Sequence, residues 1–211
     1  MTIDEFDRAA STFDVDFRIK RAQAVVRQLA AQVELNPTMS ALDFGCGTGL
    51  VGFELLKHIG RLTLADSSSG MLEEARKKIT GADSNRVETL LLDAEQTVLP
   101  ERYDLVVSLM TLHHIPDTRR TVTLLASSVG HGGFLALADL DLEDGSFHGP
   151  DWEVHQGIDR REIMGLMGAA GFEEIRESTP WIMQKEVEGV NREYPLFLIT
   201  GRGGILVGSA G

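Results

Sequence analysis

Residues Ala41-Leu42-Asp43-Phe44-Gly45-Cys46-Gly47-Thr48-Gly49 form an apolar run that ends in an acid and then places glycines at alternate positions, and a helix-like stretch from Leu50 to His58 follows. Glycine accepts positive φ and has no Cβ to hold a ligand off the backbone, so a strand ending in such a turn brings amides up to whatever lies above it. The helix behind the turn adds the positive end of a dipole, which suits a carboxylate or a phosphate. These residues predict a nucleotide-binding turn. Gly47, Gly49 and Gly52 also spell the G-x-G-x-x-G of dinucleotide-binding proteins, so the turn alone leaves its ligand open.

The chain has 211 residues, 43% of them hydrophobic, which is enough for one well-buried domain and short for two. We expect a single domain over residues 1–211, with a helical cap segment over 1–36, a core over 37–204 and a glycine-rich, loosely held tail over 205–211. The formal net charge is −12, and Lys and Arg are scattered apart from Arg76-Lys77-Lys78, so the footprint of a nucleic-acid-binding surface is missing. No apolar stretch approaches the roughly 20 residues of a membrane span, and the N-terminus is acidic where a signal peptide would be basic. We therefore expect a soluble, cytoplasmic protein without nucleic-acid or membrane partners; its oligomeric state is not legible. The single cysteine, Cys46, excludes an internal disulfide and a multi-cysteine zinc site, and between two glycines it reads as a small residue that fits the turn.

Ile19, Ala22, Val26, Leu29 and Val33 recur at helical spacing and predict an amphipathic helix that Asn36-Pro37 breaks. Strand candidates then alternate with helical patterns: Met39 to Phe44, Leu62 to Ala65, Val87 to Leu92, Tyr103 to Leu109 and Phe134 to Leu140. Such alternation predicts an α/β fold with a parallel sheet covered on both faces. Helices are expected from Met71, Leu72, Ala75 and Ile79, from Val122, Leu125, Ala126 and Val129, and from Ile163, Leu166, Met167 and Ala170. The last of these begins with Asp159 and Glu162 at capping-box spacing and stops at Gly171. Phe172 to Glu177 and Leu196 to Thr200 read as two final strands, a hairpin on the sheet edge joined by a longer polar segment.

In an open α/β sheet the ligand lies beyond the carboxyl ends of the strands. Asp66 ends the second strand candidate about 20 residues beyond the glycines, where a carboxylate accepts both hydroxyls of a ribose; its other reading is a helix cap leading into Ser67-Ser68-Ser69. Asp93 with Ala94 follows the third strand, in position to meet the amine and a ring nitrogen of adenine or to serve as a turn. The fourth strand leads into Ser108-Leu109-Met110-Thr111-Leu112-His113-His114-Ile115-Pro116-Asp117.

Taken together, Leu42 to Gly49, Asp66, Asp93-Ala94 and Leu112-His113-His114-Ile115 resemble the class I S-adenosylmethionine-dependent methyltransferases, most closely their small-molecule branch of ubiquinone- and menaquinone-type enzymes. The resemblance runs from Phe13-Asp14 to about Leu198. It implies a Rossmann-like three-layer sandwich whose seven-stranded, mostly parallel sheet has an antiparallel last strand, with S-adenosyl-L-methionine over the first, second and fourth strands. On that pattern the backbone at Gly45 and Gly47, with Cys46 between them, would meet the methionine moiety, which Asp43 helps to orient. Asp66, with Ser67 beside it, would bind the ribose, and Asp93 and Ala94 the adenine. Backbone at Ser108 or Leu109 would face the methionine amine, with His113 close to the cofactor. Phe13 stands where family members often carry Tyr, which removes a hydroxyl from that position.

A dehydrogenase or a nucleotide-binding module of the nicotinamide type would also use Gly47, Gly49, Gly52 and Asp66. The register argues against it: Gly45 is the glycine that follows the strand, and it does not start a G-x-G-x-x-G because position 50 is Leu. Tyr103 and Tyr194 are followed four residues on by Val107 and Leu198, so the Tyr–Lys pair of short dehydrogenases is absent, while a bare nucleotide-binding module stays open as the alternative.

Methyl transfer needs an acceptor held in line with the carbon–sulfur bond, and a base when the acceptor must lose a proton. The base candidates are His113, His114, His148 and His155, and His155 leads because Trp152 to Gly157 lies where a loop would cover the cofactor. It also reads as a polar loop residue. His113, His114 and Asp117 invite a metal, but Pro116 interrupts the helix they would share, so no metal is expected. Phe6 to Arg18 and Asp141 to Gly157 are expected to form the acceptor pocket; their Phe13, Phe17, Phe147 and Trp152 among many acids suit a small, partly aromatic or cationic acceptor. Arg18 reads either as a carboxylate ligand or as part of a solvated helix face.

Overall fold

Alternate residues of the apolar runs point to opposite sides of one sheet, and both sides are buried. The computed structural model describes residues 2–92, 99, 101–149 and 155–203. Its strands are β1 (Ser40–Phe44), β2 (Arg61–Asp66), β3 (Val87–Leu91), β4 (Tyr103–Leu109), β5 (Val129–Leu140), β6 (Phe172–Val187) and β7 (Val190–Gly203). Its helices are α1 (Ile3–Ala9), α2 (Asp16–Gln32), α3 (Leu50–Leu55), α4 (Ser69–Lys78), α5 (Thr118–Ser127) and α6 (Arg160–Ala169). The seven strands lie in the order β3-β2-β1-β4-β5-β7-β6; β1 to β5 pair in parallel, and β7 runs antiparallel to both of its neighbours.

Ala41, Leu62, Leu64, Leu105 and Ala138 meet Val25 and Leu29 of α2, Leu55 of α3 and Leu72 of α4 on one face. Leu42, Phe44, Val106, Leu135 and Ile199 meet Val122 and Leu125 of α5 and Ile163 of α6 on the other. Each fully buried Leu or Ile contributes about 1.5–3 kcal/mol, so two such layers fix the helices on both faces of the sheet. The result is the expected three-layer α/β sandwich with an antiparallel last strand.

Three local expectations need correction. The polar segment between the last two strands is not a loop: β6 and β7 run on through it and turn at Glu188-Gly189, both with positive φ (52° and 77°). That is the backbone of a two-residue primed turn. The alternation is weak there because this edge hairpin is largely exposed on both faces. Val129 belongs to β5 rather than to the helix before it, since Ser128 closes α5 and Val129 pairs with Tyr103. Asp159 caps α6 through the Arg161 amide, while the Glu162 side chain reaches Arg119 at 3.4 Å, so the capping box does not form.

A capping box does form at Thr2 and Glu5 and starts α1. Asp7 then accepts from the Ser68 hydroxyl (2.5 Å) and the Gly70 amide (2.8 Å), which latches α1 to the start of α4 beside the end of β2.

Candidate active site

β1 sits between β2 and β4, so the chain leaves β1 to one side and returns on the other, opening a crevice at the strand ends. Gly45, Gly47 and Gly49 carry φ of 68°, 54° and 83°. At Gly45 there is no alternative residue: an added Cβ would lie 2.2 Å from the Thr111 methyl. The amides of this turn are not all turned to the crevice. Gly45 and Cys46 both donate to the Ala65 carbonyl (2.8 and 3.0 Å), and Gly47 donates to Asp66 Oδ2 (2.7 Å). Direct amide contact of Gly45 with a ligand, as expected from the sequence, is thus replaced by a tie to the end of β2.

The two acids are held in the same way. Asp43, 1% exposed, accepts from the Gly52 amide at 2.9 Å and fixes the start of α3. Burial pushes its carboxyl up to about 7, against the lowering effect of that hydrogen bond. Asp66 accepts from Gly47 and, at Oδ1, from the Ser68 amide (2.8 Å); burial raises it as well, opposed by its backbone hydrogen bonds. The Cys46 thiol is buried and pushed upward by burial and by Asp43 and Asp66, so it stays protonated and is no nucleophile.

A first cavity opens on this turn. Of the residues expected to bind cofactor it is lined by Asp43, Gly45, Cys46, Gly47, Asp66, Ser67 and Leu109. Phe13 packs over Gly47, with its ring 3.6 Å from where a Cβ would stand. Ser108 is not in the lining: it is buried, and its hydroxyl donates to the Phe44 carbonyl at 2.9 Å, binding β4 to β1. Asp93 and Ala94 lie outside the described residues, as does Trp152.

A second cavity, of about 570 Å³, shares Phe6, Phe13, Arg18, Arg21, Met110 and His114 with the first. Met110 stands between them with φ 56°, a strained value for a side chain of this kind, held by its amide on the Ala138 carbonyl (2.9 Å). The far wall comes from Phe147 and His148 after β5 and from Trp181 to Lys185 of β6.

His113 lines this second cavity and not the first. Its ring is fully buried, with Nδ1 2.5 Å from Asp139 Oδ1, and its amide donates to Asp139 Oδ2 (3.3 Å). Burial drives the Asp139 carboxyl up, but the His113 ring and three hydrogen bonds outweigh it and hold the group below the ordinary carboxylate value. An ionised carboxylate only accepts, so Nδ1 carries the proton that faces Asp139. Nε2 is buried and has no hydrogen-bond partner among the described residues.

His155 is elsewhere. It lines neither of these cavities, and its exposed ring places Nε2 3.0 Å from the Ile115 carbonyl and 3.2 Å from that of Pro116. Its ring nitrogen is turned to backbone carbonyls behind the Leu112–His114 turn, and its amide donates to the His113 carbonyl at 3.2 Å.

Sequence reasoning missed Arg21, Asp139 and the β6 wall. Arg21 had a signal: it shares the stripe of Ala22, Val25 and Leu29 and is only 9% exposed. Burial, with Arg18 nearby, lowers it to about 10. Its Nη1 reaches only the Met183 sulfur (3.5 Å), and its Nε has no partner among the described residues. Asp139 was also legible, as a lone acid inside Phe134 to Leu140.

A family model described as a methyltransferase domain matches residues 41–133. Malonyl-[acyl-carrier protein] O-methyltransferase of Acetivibrio thermocellus is 31% identical over 135 residues, covering 63% of this chain and 47% of that protein. Aklanonic acid methyltransferase DauC of a Streptomyces species is 29% identical over 146 residues, 67% of this chain and 66% of the relative. The chain thus spans about half the length of the first of these relatives. Among solved structures, the N-methyltransferase NodS of Bradyrhizobium japonicum, in complex with S-adenosylhomocysteine, superposes with a TM-score of 0.66 at 18% identity, over 90% of this chain and 89% of that one. These likenesses point away from the nicotinamide alternative.

Proposed function

We propose that the chain is a class I S-adenosylmethionine-dependent methyltransferase that binds its cofactor in the first cavity and transfers the methyl group to a small molecule held in the second. The observation that carries this reading is the junction of the two cavities at Arg21, Met110 and His114, with the glycine turn on one side and His113 on the other.

The residues present fit the cofactor. A buried guanidinium whose Nε lacks a partner is costly unless a ligand anion meets it, and Arg21 at the methionine end suits the α-carboxylate. Asp43 is the counter-charge for the α-ammonium, together with backbone at Leu109, which lines the same cavity. Asp66, beside Ser67, is the acceptor for the ribose hydroxyls, and Asp93 and Ala94 are the proposed adenine contacts. Gly45, Cys46 and Gly47 leave room rather than donate.

When bound, S-adenosylmethionine supplies a methyl group made electrophilic by its sulfonium. The protein's part is to place the acceptor in line and keep water out, an effect of up to about 7–11 kcal/mol in favourable cases. Phe6 and Phe13 close the junction from the side of α1, whose latch through Asp7 keeps them there. His113 takes the proton of an acceptor hydroxyl or amine on Nε2. Asp139 fixes the tautomer and steadies the charge that the ring gains. A base of this kind contributes about 10²–10⁴-fold. We place the reaction in the cytoplasm; among the described residues no helix is long and apolar enough to cross a membrane.

The test is transfer of labelled methyl from S-adenosylmethionine across a panel of small acceptors by the wild type and by His113→Gln. Label in an acceptor product, reduced in the variant while S-adenosylhomocysteine still binds, supports the reading; a variant as fast as the wild type on its best acceptor removes His113 from the chemistry.

A further inference from the structure

The second cavity is basic although the chain is acidic. The protein has a formal net charge of −12, yet among the described residues the charged groups lining this cavity are Arg18, Arg21 and Lys185, with no Asp or Glu beside them. None of the three has a carboxylate at ion-pair distance among the described residues. Arg18 donates to the Phe13 carbonyl (2.9 Å), Lys185 to the Phe147 carbonyl (2.6 Å), and Arg21 reaches the Met183 sulfur. The acids that act on these cations are committed elsewhere: Asp14 bonds Lys78 and Thr48, and Asp139 bonds His113. His114 and His148, lowered by burial to about 3 and about 4, are neutral at pH 7 and leave this balance unchanged.

The apolar part of the lining is flat and open. The Arg18 guanidinium lies 4.0 Å over the Phe13 ring and 5.4 Å from that of Phe17. Phe17 and Ile182 are 50% and 47% exposed at the edge, with Phe147 and Trp181 across from them. Large apolar side chains left in water around unpaired cations select for a ligand that covers the first and neutralises the second. A cationic acceptor, the other possibility read from the sequence, would meet three like charges.

We infer that the methyl acceptor is a small aromatic carboxylate, its ring packed against Phe17, Phe147 and Trp181 and its carboxylate held between Arg18 and Lys185. This rests on the reading of the second cavity as the acceptor site. Arg21 is then left to the cofactor's carboxylate at the junction, and the two anions occupy different cations.

The experiment is a calorimetric titration of the full chain, saturated with S-adenosylhomocysteine, by 1-naphthoate, by its neutral counterpart 1-naphthamide and by 1-naphthylmethylammonium. The carboxylate is expected to bind about tenfold or more tightly than either of the others. In the double variant Arg18→Gln, Lys185→Gln that preference should vanish, while Lys185→Arg alone keeps it. Binding of the amide or the ammonium as tight as that of the carboxylate, no binding of any of the three, or a preference that persists in the double variant overturns the inference. Saturation with S-adenosylhomocysteine is measured first. A wild type that does not bind it refutes the cofactor reading, and the acceptor inference falls with it for that separate reason.

Discussion

Asp43 and Asp66 are carboxylates beside the glycine turn, both raised by burial. Asp66→Ala removes the acceptor expected for the ribose, and S-adenosylhomocysteine should bind about 10–100-fold more weakly to a protein that still folds; unchanged affinity by calorimetry rejects the assignment. Asp43 makes a pH prediction. Its native value, near 7, lies above the ordinary 3.8, so the folded state holds a proton that the unfolded chain has released between those values. The native state binds more protons in that window, and stability of the free protein should fall as pH rises from about 4 to about 7. Cofactor affinity runs the other way, because the ionised carboxylate is the counter-charge: it should weaken below pH 7, by at most about tenfold per unit. Asp43→Asn should flatten both profiles, as read by thermal unfolding and titration across pH; slopes that persist in the variant belong to another group. His113→Gln and Asp139→Asn should each lower turnover by about 10²–10⁴-fold with little change in cofactor affinity, whereas His155→Ala should turn over as the wild type does. At this scale the glycines, Asp43 and Asp66 were legible because strand ends and φ requirements are local. The partnership of His113 with Asp139 was not, because it joins residues 26 apart through strand pairing.

Among the elements, β6 and β7 depart furthest from the sequence reading. The apolar residues placed them at Phe172 to Glu177 and Leu196 to Thr200, but the part of the hairpin near its turn is largely exposed and tolerates polar residues, so hydrophobic pattern carries little information there. The Glu188-Gly189 turn was missed because Glu is an unusual residue at φ 52°. That position stores strain: Glu188→Asn should raise unfolding free energy by about 0.5–1 kcal/mol, since Asn tolerates the left-handed region, and a urea midpoint that stays put or falls would contradict this. Trp181 to Lys185 of the hairpin supply a wall of the second cavity. The strands β1, β2 and β4 were legible nearly to the residue, since their residues are buried on both faces.

For the molecule as a whole, the strand order with its switch beside β1 fixes where a ligand binds, and the same order brings α1 and α2 across the crevice from β6. The alternation of elements predicted the parallel sheet, and the family resemblance implied a ligand over its first, second and fourth strands. The crossing of α1 and α2 over the crevice depends on how these helices lie against the edge hairpin, which no local pattern encodes, so the cations Arg21 and Lys185 entered the site only with the fold. Net charge misled in the same way: the total of −12 said nothing of a cavity lined by bases. The measurement that bears most directly on the central claim is a parallel calorimetric titration of the purified protein with S-adenosylmethionine, S-adenosylhomocysteine and NAD. One-to-one binding of the first two in the micromolar range and none of NAD is the predicted result; binding of NAD alone, or of none of the three, would contradict it.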